Sequence, residues 1–421
     1  MPKKRYLFIG YNYYPEFTGI AKYTAEMCDY LANVKKYDVS IITGNPYYPM
    51  WKLYEGYQNK FKQEFHNGVH VSRIPIYIPQ QPTGRKRMIQ DFSFLLLSMI
   101  SVSKKLILDK KYDYLVIIAP SFLLGFVGMY YKLFSKKTKI IYHIQDLQID
   151  AAKDLRLISN QKLLKVLFFL EKKILARVDF ISTISAGMKV KISAKVKAKK
   201  DCLLFPNWID DSAIFSTNGF EPQKNGLASF QNKKVMLYSG SIGEKQGLEI
   251  LIEVADKLKT FPEILFVICG EGPYRVVLEA RCKDKNLENI IFFNLAPAKD
   301  FNVLLNRADI HLIIQKNIDG DLFFPSKLNN IMAVGGCLIA TVNETGSLYH
   351  LINKYTLGKI VPPSSPDELY KAILYLLASE DTCNGYKKNA LTYAKNHLLK
   401  EHIIERFLLS INSTPSNRLV N

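Results

Sequence analysis

Strand-like and helix-like segments alternate along this chain in two long series, which a polar, glycine-rich passage near residue 210 separates. Alternation of this kind is typical of parallel sheets whose strands are joined by crossover helices. At 421 residues the chain also exceeds the size at which a single hydrophobic core keeps growing. The sequence therefore predicts an α/β protein with two Rossmann-like, doubly wound domains that face a cleft.

The interruptions of this pattern give the predicted domain limits. Residues 1–210 form an N-terminal Rossmann-like domain, residues 211–395 form a C-terminal one, and residues 396–421 form a last helix and a tail. Ligands of open parallel sheets bind at the carboxyl ends of the strands, where loops lead into helices. We therefore expect the functional residues in those loops.

Composition and patterning narrow the class of protein. The six cysteines are scattered without a metal-binding spacing, which is typical of reduced thiols in a cytoplasm. The opening segment MPKKRYLFIG leads directly into a strand and leaves no room for a signal peptide. The longest nearly uncharged stretch, Tyr114 to Phe134, is interrupted by Pro120 and Ser121, which predicts a buried strand and a buried helix instead of a membrane span. These features predict a cytoplasmic protein.

The formal net charge of +19 indicates an anionic partner. Zinc-finger spacing, RNA-binding motifs and arginine-rich arms are absent from the sequence, so we expect no nucleic acid. Lysines instead accompany apolar residues in three stretches, Gly84 to Lys111, Asn160 to Val178 and Met188 to Lys200. The second stretch carries an apolar row at helical spacing, formed by Leu163, Leu167, Leu170 and Ile174. Such helices predict a peripheral contact with the anionic inner face of the plasma membrane, and the alternative is ordinary helices with solvated basic faces.

Several nucleotide-binding motifs are absent. No GxGxxG follows the first strand of either series, which argues against a dinucleotide oxidoreductase, and no P-loop lysine motif indicates a kinase or an ATPase. The DGD segment, Asp319 to Asp321, has the form of a DxD metal site, but two acids in a loop are common by chance. We therefore predict no metal site.

The stretch DLFFPSKLNNIMAVGGCLIAT, residues 321–341, places Ser326 and Lys327 at the start of a predicted helix. A helix start offers unpaired N–H groups and the positive end of a dipole, so this position suits an anion such as phosphate. The alternative is that Ser326 caps the helix and that Lys327 is solvated.

Other loops of the second series lie at equivalent positions of the predicted sheet. The segments SGSIGEKQGLE, GEGPYR and TVNETGS combine a lysine, carboxylates and glycines that let a ligand approach the backbone closely. This combination suits a sugar joined to a nucleoside diphosphate. The residues concerned are Gly240, Gly243, Lys245, Glu249, Glu271, Gly272 and Glu344.

Loops of the first series are rich in aromatic residues. Aromatic rings beside hydroxyl and amide groups suit a second sugar, which would be the acceptor. The predicted acceptor-binding residues are Tyr14, Tyr47, Tyr48, Trp51 and Asn207. The alternative is that Tyr47, Tyr48 and Trp51 only pack in the core.

Six segments in the same order resemble glycosyltransferase family four, the retaining enzymes of the GT-B fold, and most closely its exopolysaccharide and O-antigen members. The segments are GYNYYPEFTGIAKYTAEM, ITGNPYYPMW, HIQDLQID, FPNW, YSGSIGEKQGLE and PSKLNNIMAVGG, within residues 5–375. The resemblance implies an acceptor on the first domain, a nucleotide sugar on the second and a last helix that crosses back to the first. It also implies that no metal ion or other cofactor is needed.

The resemblance assigns roles to individual residues. Gly19 is similar to the loop glycine that lets the first domain approach the donor phosphates. His143 and Asp146 match the histidine-acid segment that faces the reacting sugar. Lys245 stands one position before the diphosphate-binding lysine of the family, and Glu271 lies in the loop near the base or ribose.

The sequence departs from the family pattern at two places. Ser241 stands where the family has an arginine, and a pair of glutamates is replaced by Leu322 and Asn330. Lys327, with Ser326 and the helix start, is therefore predicted to supply the positive charge of the absent arginine. The predicted catalytic residues are His143, Asp146, Lys245 and Lys327, and the predicted donor-binding residues are Gly19, Gly240, Gly243, Glu271, Gly272, Ser326, Lys327 and Glu344.

The sequence thus predicts a glycosyltransferase that moves a sugar, deoxysugars included, from a GDP- or UDP-linked donor to a lipid-linked saccharide. The predicted setting is capsule, exopolysaccharide or O-antigen biosynthesis, with retention at the sugar. Two alternatives stay open: a sugar-nucleotide epimerase of similar fold, which would need no acceptor, and a non-catalytic partner that binds polysaccharide intermediates. An oxidoreductase is a more distant alternative.

Overall fold

The computed structural model describes residues 3–413 except 17–18, 82, 110, 155–157, 159, 197–199, 210–213, 218–229, 231, 295–297, 317–324 and 326, and it leaves the side chains of 245, 298 and 299 undescribed. The chain divides into two compact units, Met1–Pro206 with Ile404–Asn421 and Asn207–Ile403. The domain limits that the sequence predicts, at residues 210 and 395, remain predictions.

The first unit is built on a sheet of eight strands. These are β1 Arg5–Ile9, β2 Asp38–Gly44, β3 Lys62–His66, β4 Val69–Ile74, β5 Tyr114–Ala119, β6 Lys139–Ile144, β7 Phe180–Thr183 and β8 Cys202–Leu204. Their order in the sheet is β3-β4-β2-β1-β5-β6-β7-β8. Every neighbouring pair is parallel except β3 and β4, which are antiparallel.

Helices connect the strands of the first unit. They are α1 Ile20–Asp29, α2 Gly84–Leu108, α3 Gly125–Phe134, α4 Gln148–Asp154, α5 Gln161–Arg177 and α6 Ala186–Lys195. The last helix of the chain, α14 Lys400–Asn412, packs on this unit through its later residues. There the Tyr30 hydroxyl donates a hydrogen bond to Glu405 at 2.6 Å, and the rings of Phe205 and Phe407 stack with centroids 4.0 Å apart.

The uncharged stretch from Tyr114 to Phe134 forms β5, a short 3₁₀ turn and α3. All six residues of β5 are buried, because a central parallel strand is covered by helices on both faces. This confirms the predicted strand followed by a helix. Within the part of the chain that the structure describes, no helix is both long and apolar enough to cross a membrane.

The second unit is built on six parallel strands. They are β9 Lys234–Ser239, β10 Ile264–Cys269, β11 Ile290–Phe293, β12 Ile310–Ile313, β13 Leu338–Thr341 and β14 Gly358–Val361. Their order is β11-β10-β9-β12-β13-β14. Successive residues of β9 enter cores on opposite faces, since Val235 and Leu237 pack on one side and Met236 and Tyr238 on the other.

The helices of the second unit follow the strands in alternation. They are α7 Glu249–Lys257, α8 Arg275–Asp284, α9 Ala298–Arg307, α10 Lys327–Val334, α11 Ser347–Tyr355, α12 Pro366–Ala378 and α13 Glu380–His397. One sheet is parallel and the other is parallel except for β3, and crossover helices connect the strands of both, which confirms the predicted Rossmann-like architecture.

Both sheets reverse their strand order at one point. In the first unit the chain builds β2 on one side of β1 and β5 on the other, and in the second it builds β10 on one side of β9 and β12 on the other. Ligands of doubly wound sheets bind in the crevice outside such a reversal. The carboxyl ends of β1 and β5, and of β9 and β12, are therefore the positions to search.

Candidate active site

Two glycine-containing loops pack backbone to backbone beside the reversal of the second sheet. The N–H of Gly240 donates to the carbonyl of Cys269 at 2.9 Å, and the N–H of Ile242 donates to the carbonyl of Glu271 at 2.9 Å. A Cβ atom on Gly270 would lie 1.8 Å from the Gly240 carbonyl oxygen, and one on Gly272 would lie 2.0 Å from that of Ile242. Close packing of the loops on each other therefore requires glycine at these positions.

Lys327 lies at the carboxyl end of β9. Its Nζ atom is 3.6 Å from the ring centroid of Tyr238, the fifth residue of that strand. A Cβ atom on Gly240 would lie 2.9 Å from the same Nζ, so the glycine leaves room for the lysine. The stretch that suggested an anion site from sequence thus places its lysine at the reversal of strand order.

The environment of Lys327 weakens its charge. Burial lowers the pKa of Lys327 to about 7, and no carboxylate of the described residues forms an ion pair with it. The electron-rich face of Tyr238 favours the cation, but it replaces only part of the lost hydration. An anionic ligand would supply the missing partner and would raise this pKa.

A second lysine lies near the same edge. Lys316, which follows β12, has its Nζ 3.8 Å from a carboxylate oxygen of Glu249. The hydroxyl of Tyr274 donates to that carboxylate at 2.7 Å. Burial acts to raise the pKa of Glu249, but the bond from Tyr274 and the charge of Lys316 hold it below the ordinary value. Lys316 was not identified from the sequence, because it belongs to no recognisable motif, and Tyr274 was not singled out although it lies in the GEGPYR segment.

The remaining predicted donor residues occupy loops at the same edge of the sheet or lie outside the residues that the structure describes. Glu271 and Glu344 are exposed in the loops that precede α8 and α11. Gly243 precedes a 3₁₀ turn, Glu244–Gln246. The side chain of Lys245 and all of Ser326 lie outside the described residues, as does the DGD segment. Among the described residues, no group of acidic, histidine or cysteine side chains could hold a metal ion.

Three predicted acceptor residues come together in the first unit. The centroid of the Trp51 ring lies 5.6 Å from that of Tyr47 and 6.2 Å from that of Tyr48. A single oxygen of Glu16 accepts the N–H groups of Tyr47 and Tyr48, each at 2.7 Å. Tyr47 is a core residue, while Tyr48 and Trp51 are half-buried at the edge of the core. Packing therefore accounts for Tyr47, and the other two rings retain accessible surface.

His143 is the fifth residue of β6 and is buried. The Gln145 amide nitrogen lies 2.9 Å from Nε2, and Ser182 Oγ lies 3.0 Å from Nδ1. This orientation of the amide makes Nε2 the acceptor and assigns the proton to Nδ1. Burial lowers the pKa of His143 to about 3, although a hydrogen bond with the backbone of Ser182 opposes the shift, so the ring is neutral. These two hydrogen bonds hold the ring within the first unit, and a role towards a substrate stays a prediction.

Asp146 and Gly19 lie in loops of the same unit. Asp146 follows β6, is half-buried, and its charge contributes to the raised pKa of Tyr48, after the larger effect of burial. Gly19 precedes α1 with φ +57°, a left-handed conformation that favours glycine. A Cβ atom there would meet nothing within 4 Å, so conformation and not space selects the glycine.

Tyr14 and Asn207 do not join the aromatic group. The ring of Tyr14 stacks on His66 of β3 with centroids 3.8 Å apart. Asn207 opens the second unit, where its carbonyl accepts the side-chain amide of Asn329 at 2.9 Å. Its assignment to the first domain followed from the predicted limit at 210, whereas the contact with α10 attaches it to the second unit.

The arrangement can do two things chemically. At the reversal of the second sheet, Lys327 and the first N–H groups of α10 can hold and neutralise a phosphate group. At the equivalent edge of the first sheet, rings and carboxylates can hold a neutral polar molecule such as a sugar. A lysine without a carboxylate partner among the described residues suits the first task, because the ligand supplies the counter-charge.

Known structures place this architecture in a defined class. The chain aligns with sucrose-phosphate synthase from Thermosynechococcus elongatus at a TM-score of 0.75 and 15% identity, over 97% of this chain and 98% of that one. It aligns with HepE from Anabaena, in complex with UDP and glucose, at a TM-score of 0.70 and 14% identity, over 98% and 100%. The fold is the GT-B fold of glycosyltransferases.

Sequence comparison gives the family. The glycosyl transferase 4-like domain matches residues 18–208, and glycosyl transferases group 1 match residues 219–392. The chain is 35% identical over 415 residues to the colanic acid biosynthesis glycosyl transferase WcaI of Escherichia coli (strain K12), over 96% of this chain and 99% of that protein. The chain therefore belongs to the group 1, family 4-like glycosyltransferases, which confirms the predicted class of enzyme.

Proposed function

We propose that this glycosyltransferase transfers a sugar from a GDP- or UDP-linked donor to a lipid-linked saccharide during the synthesis of a surface polysaccharide, with retention at the sugar. The observation that carries the proposal is Lys327, a lysine at the reversal of the second sheet with no carboxylate partner among the described residues. The similarity to a colanic acid biosynthesis enzyme supports the polysaccharide setting, and the UDP in the HepE structure supports a nucleotide donor.

The proposed chemistry depends on stabilising the leaving diphosphate. As the bond between the sugar and the phosphate breaks, negative charge grows on the phosphate oxygen. Lys327 and the N-terminus of α10 stabilise that charge because they are already in position before the reaction. Asp146 and His143 would face the transferred sugar, Lys245 would assist Lys327, and no side chain is assigned as a covalent nucleophile. Lys327 supplies the cation, so the proposal includes no metal ion.

A membrane-bound acceptor requires the enzyme to reach the bilayer surface, and α2 offers a suitable face. Met88, Phe92, Leu96 and Ile100 recur every four residues and are between 46% and 60% exposed. The exposed side chains of Arg85, Arg87 and Lys104 lie on the same helix. An apolar row beside cationic side chains suits the interface of an anionic membrane. We propose that this face binds the inner surface of the plasma membrane.

Helix α5 contributes to the proposed membrane contact differently from what its sequence predicts. Leu163 is 40% exposed, whereas Ile174 is buried, so the predicted apolar row is exposed where it begins and buried where it ends. The buried residues Leu164, Glu171 and Ile174 face inward. The carboxylate of Glu171 can be buried there because it accepts a hydrogen bond from Lys195 Nζ at 2.8 Å. The outward face carries Leu163, Val166 and Phe169 among lysines.

A transfer assay tests the proposal. Radiolabelled UDP-glucose, UDP-galactose and GDP-fucose are each incubated with the protein and a short-chain prenyl diphosphate monosaccharide, with a chelator present. We expect label from one donor to pass into the organic phase only when the acceptor is added. Isomerisation of a donor sugar without acceptor would instead identify an epimerase, and no reaction with any pair would contradict the proposal for these substrates.

A further inference from the structure

Two of the six cysteines meet in the second unit, at the amino end of a strand and therefore at the edge of the sheet opposite to Lys327. Cys337 directly precedes β13 and is buried, and Cys383 is half-buried in the first turn of α13. Their Sγ atoms are 2.8 Å apart, although 46 positions separate them in the sequence. Both are free thiols, and a disulfide bond has a length of about 2.0 Å. A small approach of the two sulfur atoms thus brings them to bonding distance.

The turn that leads into Cys337 is packed closely between two elements. A Cβ atom on Gly335 would lie 2.8 Å from Cγ of Leu391 on α13, and one on Gly336 would lie 2.4 Å from Cδ2 of His311 on β12. Gly335 also has φ +69°, a left-handed conformation that favours glycine. This close packing of the turn on α13 keeps the two thiols together in the reduced protein.

The groups around Cys383 favour its thiolate. The hydrogen bond with Cys337 lowers the pKa of Cys383, and the charge of Lys387, one turn later on α13, adds to the effect, whereas burial opposes it. The carboxylate of Asp309 also opposes it, but Lys234 lies 3.6 Å from that carboxylate and itself favours the thiolate. The thiolate is the nucleophile in exchange between thiols and disulfides, so Cys383 is the reactive member of the pair.

The other four cysteines are less suited to such exchange. Cys28, Cys202, Cys269 and Cys282 are all buried. Burial raises the pKa of Cys202 to about 12 and that of Cys282 to about 11. A neutral thiol that solvent does not reach reacts slowly. We therefore expect oxidation at the pair and not at the other four positions.

We propose that Cys337 and Cys383 form a redox-sensitive pair, which a low-molecular-weight disulfide such as oxidised glutathione converts into an intramolecular disulfide. The Cys383 thiolate attacks one sulfur of the reagent, which breaks the S–S bond of the reagent and releases one thiolate. Cys337 then attacks the Cys383 sulfur of the mixed disulfide and releases the second thiolate. The cysteines lose two electrons to the reagent, and the two released thiolates take up the two protons that the cysteines lose.

The disulfide joins α13 to the turn after α10. A cross-link between positions 46 apart restricts the unfolded chain, so the oxidised protein is more stable than the reduced one. The cross-link also fixes the far end of α10, the helix that begins at Lys327. The inference is independent of the proposed function, because it concerns thiols at the opposite edge of the sheet.

Mass spectrometry tests the pair directly. The full chain is incubated with oxidised glutathione, its remaining thiols are alkylated under denaturing conditions, and the product is digested. We expect alkylation of only four of the six cysteines, and a cross-linked peptide pair that contains Cys337 and Cys383. The melting temperature of the oxidised protein should be about 5–10 °C higher than that of the reduced protein. Dithiothreitol should reverse both changes.

Single variants test the order of the two steps. Cys337→Ala lacks the second thiol, so Cys383 should accumulate as a mixed disulfide that carries one glutathione. Cys383→Ala lacks the reactive thiol, so Cys337 should stay reduced. Thermal denaturation of each reduced variant shows whether it is folded. The oxidation of the wild type needs no variant, so it tests the proposal even where a variant unfolds.

Cys282→Ala is the matched control. Cys282 is a buried cysteine on α8 of the same unit, and its variant should form the disulfide as the wild type does. Retention of all six thiols by the wild type, a cross-link between any other two cysteines, or an unchanged melting temperature after oxidation would each overturn the proposal. Loss of the disulfide in Cys282→Ala would overturn it as well.

Discussion

Lys327 combines two properties that oppose each other. Its ammonium group lies over the ring of Tyr238 at the edge of the sheet, where an anion can reach it, yet burial lowers its pKa from 10.5 to about 7. Between these two values the unfolded chain binds a proton that the folded chain does not. Stability therefore rises with pH across this window, and at neutral pH the lysine costs the fold stability. Such a cost is typical of a residue retained for binding.

Replacing Lys327 with methionine should separate stability from function. We expect Lys327→Met to weaken UDP or GDP binding at least 10-fold and to stabilise the fold by about 1 kcal/mol at neutral pH, since the buried charge is removed. Calorimetry and thermal denaturation measure the two effects. Lys359→Met is the control, because Lys359 also lies over a tyrosine ring, that of Tyr375 at 5.6 Å, but is exposed on β14. Unchanged nucleotide affinity in Lys327→Met would contradict the assigned role.

The pKa of Lys327 also predicts the pH dependence of binding. A bound diphosphate favours the charged lysine, so binding above pH 7 takes up a proton and weakens as pH rises. We expect affinity for UDP or GDP to fall by up to about tenfold per pH unit between about pH 7.5 and about pH 9, until the pKa of the bound state is reached. Calorimetry in buffers of different ionisation enthalpy measures the proton uptake. A flat affinity with no uptake would show that Lys327 does not contact the diphosphate.

The loop packing beside Lys327 makes a prediction about glycine. Gly270→Ala should destabilise the protein by about 3 kcal/mol and reduce nucleotide binding, because its Cβ would meet the Gly240 carbonyl at 1.8 Å. Gly385→Ala, in the exposed middle of α13 with nothing within 4 Å, should instead stabilise it by about 1 kcal/mol. Urea denaturation of both variants measures the two changes in the free energy of unfolding. Similar stability of the two would mean that the loops move apart without cost.

At the scale of elements, strands with a strong apolar pattern were predictable and weak ones were not. Apolar runs in the sequence mark every strand of the second unit, including the edge strands β11 and β14, which are only partly buried. In the first unit β3 was missed, since KQEFH is a polar edge strand that pairs on one side only. β8 was missed because it has only three residues.

The apolar face of α2 gives the element-scale prediction. Replacing Phe92, Leu96 and Ile100 with serine should weaken sedimentation with phosphatidylglycerol vesicles by about 100-fold, since each side chain loses about 1 kcal/mol of transfer free energy. Binding of the wild type should also fall as salt is raised, because lysine and arginine contribute.

The control for this prediction is a triple serine variant of Val276, Val303 and Tyr375, which are exposed apolar residues of the second unit. It should sediment like the wild type. Equal loss in both triple variants, or no vesicle binding by the wild type at low salt, would show that α2 presents an ordinary solvated face.

At the scale of the whole molecule, the sequence predicted the architecture better than the site. The period of apolar residues extends over hundreds of positions and determines two parallel sheets, whatever the loops contain. The position of Lys327 at the reversal followed from the same rule and from the motif around it. The contacts of Asp91 with Tyr11 and Ser121 could not be found in this way, because Asp91 lies inside the long helix α2 and meets them only after folding. His143 was found, but its bonds to Ser182 and Gln145 were not foreseeable from a single strand.

The central claim is that the second unit binds a nucleoside diphosphate at Lys327, and binding calorimetry tests it most directly. UDP, GDP, CMP and NAD are titrated into the wild type and into Lys327→Met without added metal ion. The account predicts that UDP or GDP binds the wild type tightly, that CMP and NAD do not, and that the variant loses most of the affinity. Binding of NAD, or of none of the four, would contradict it.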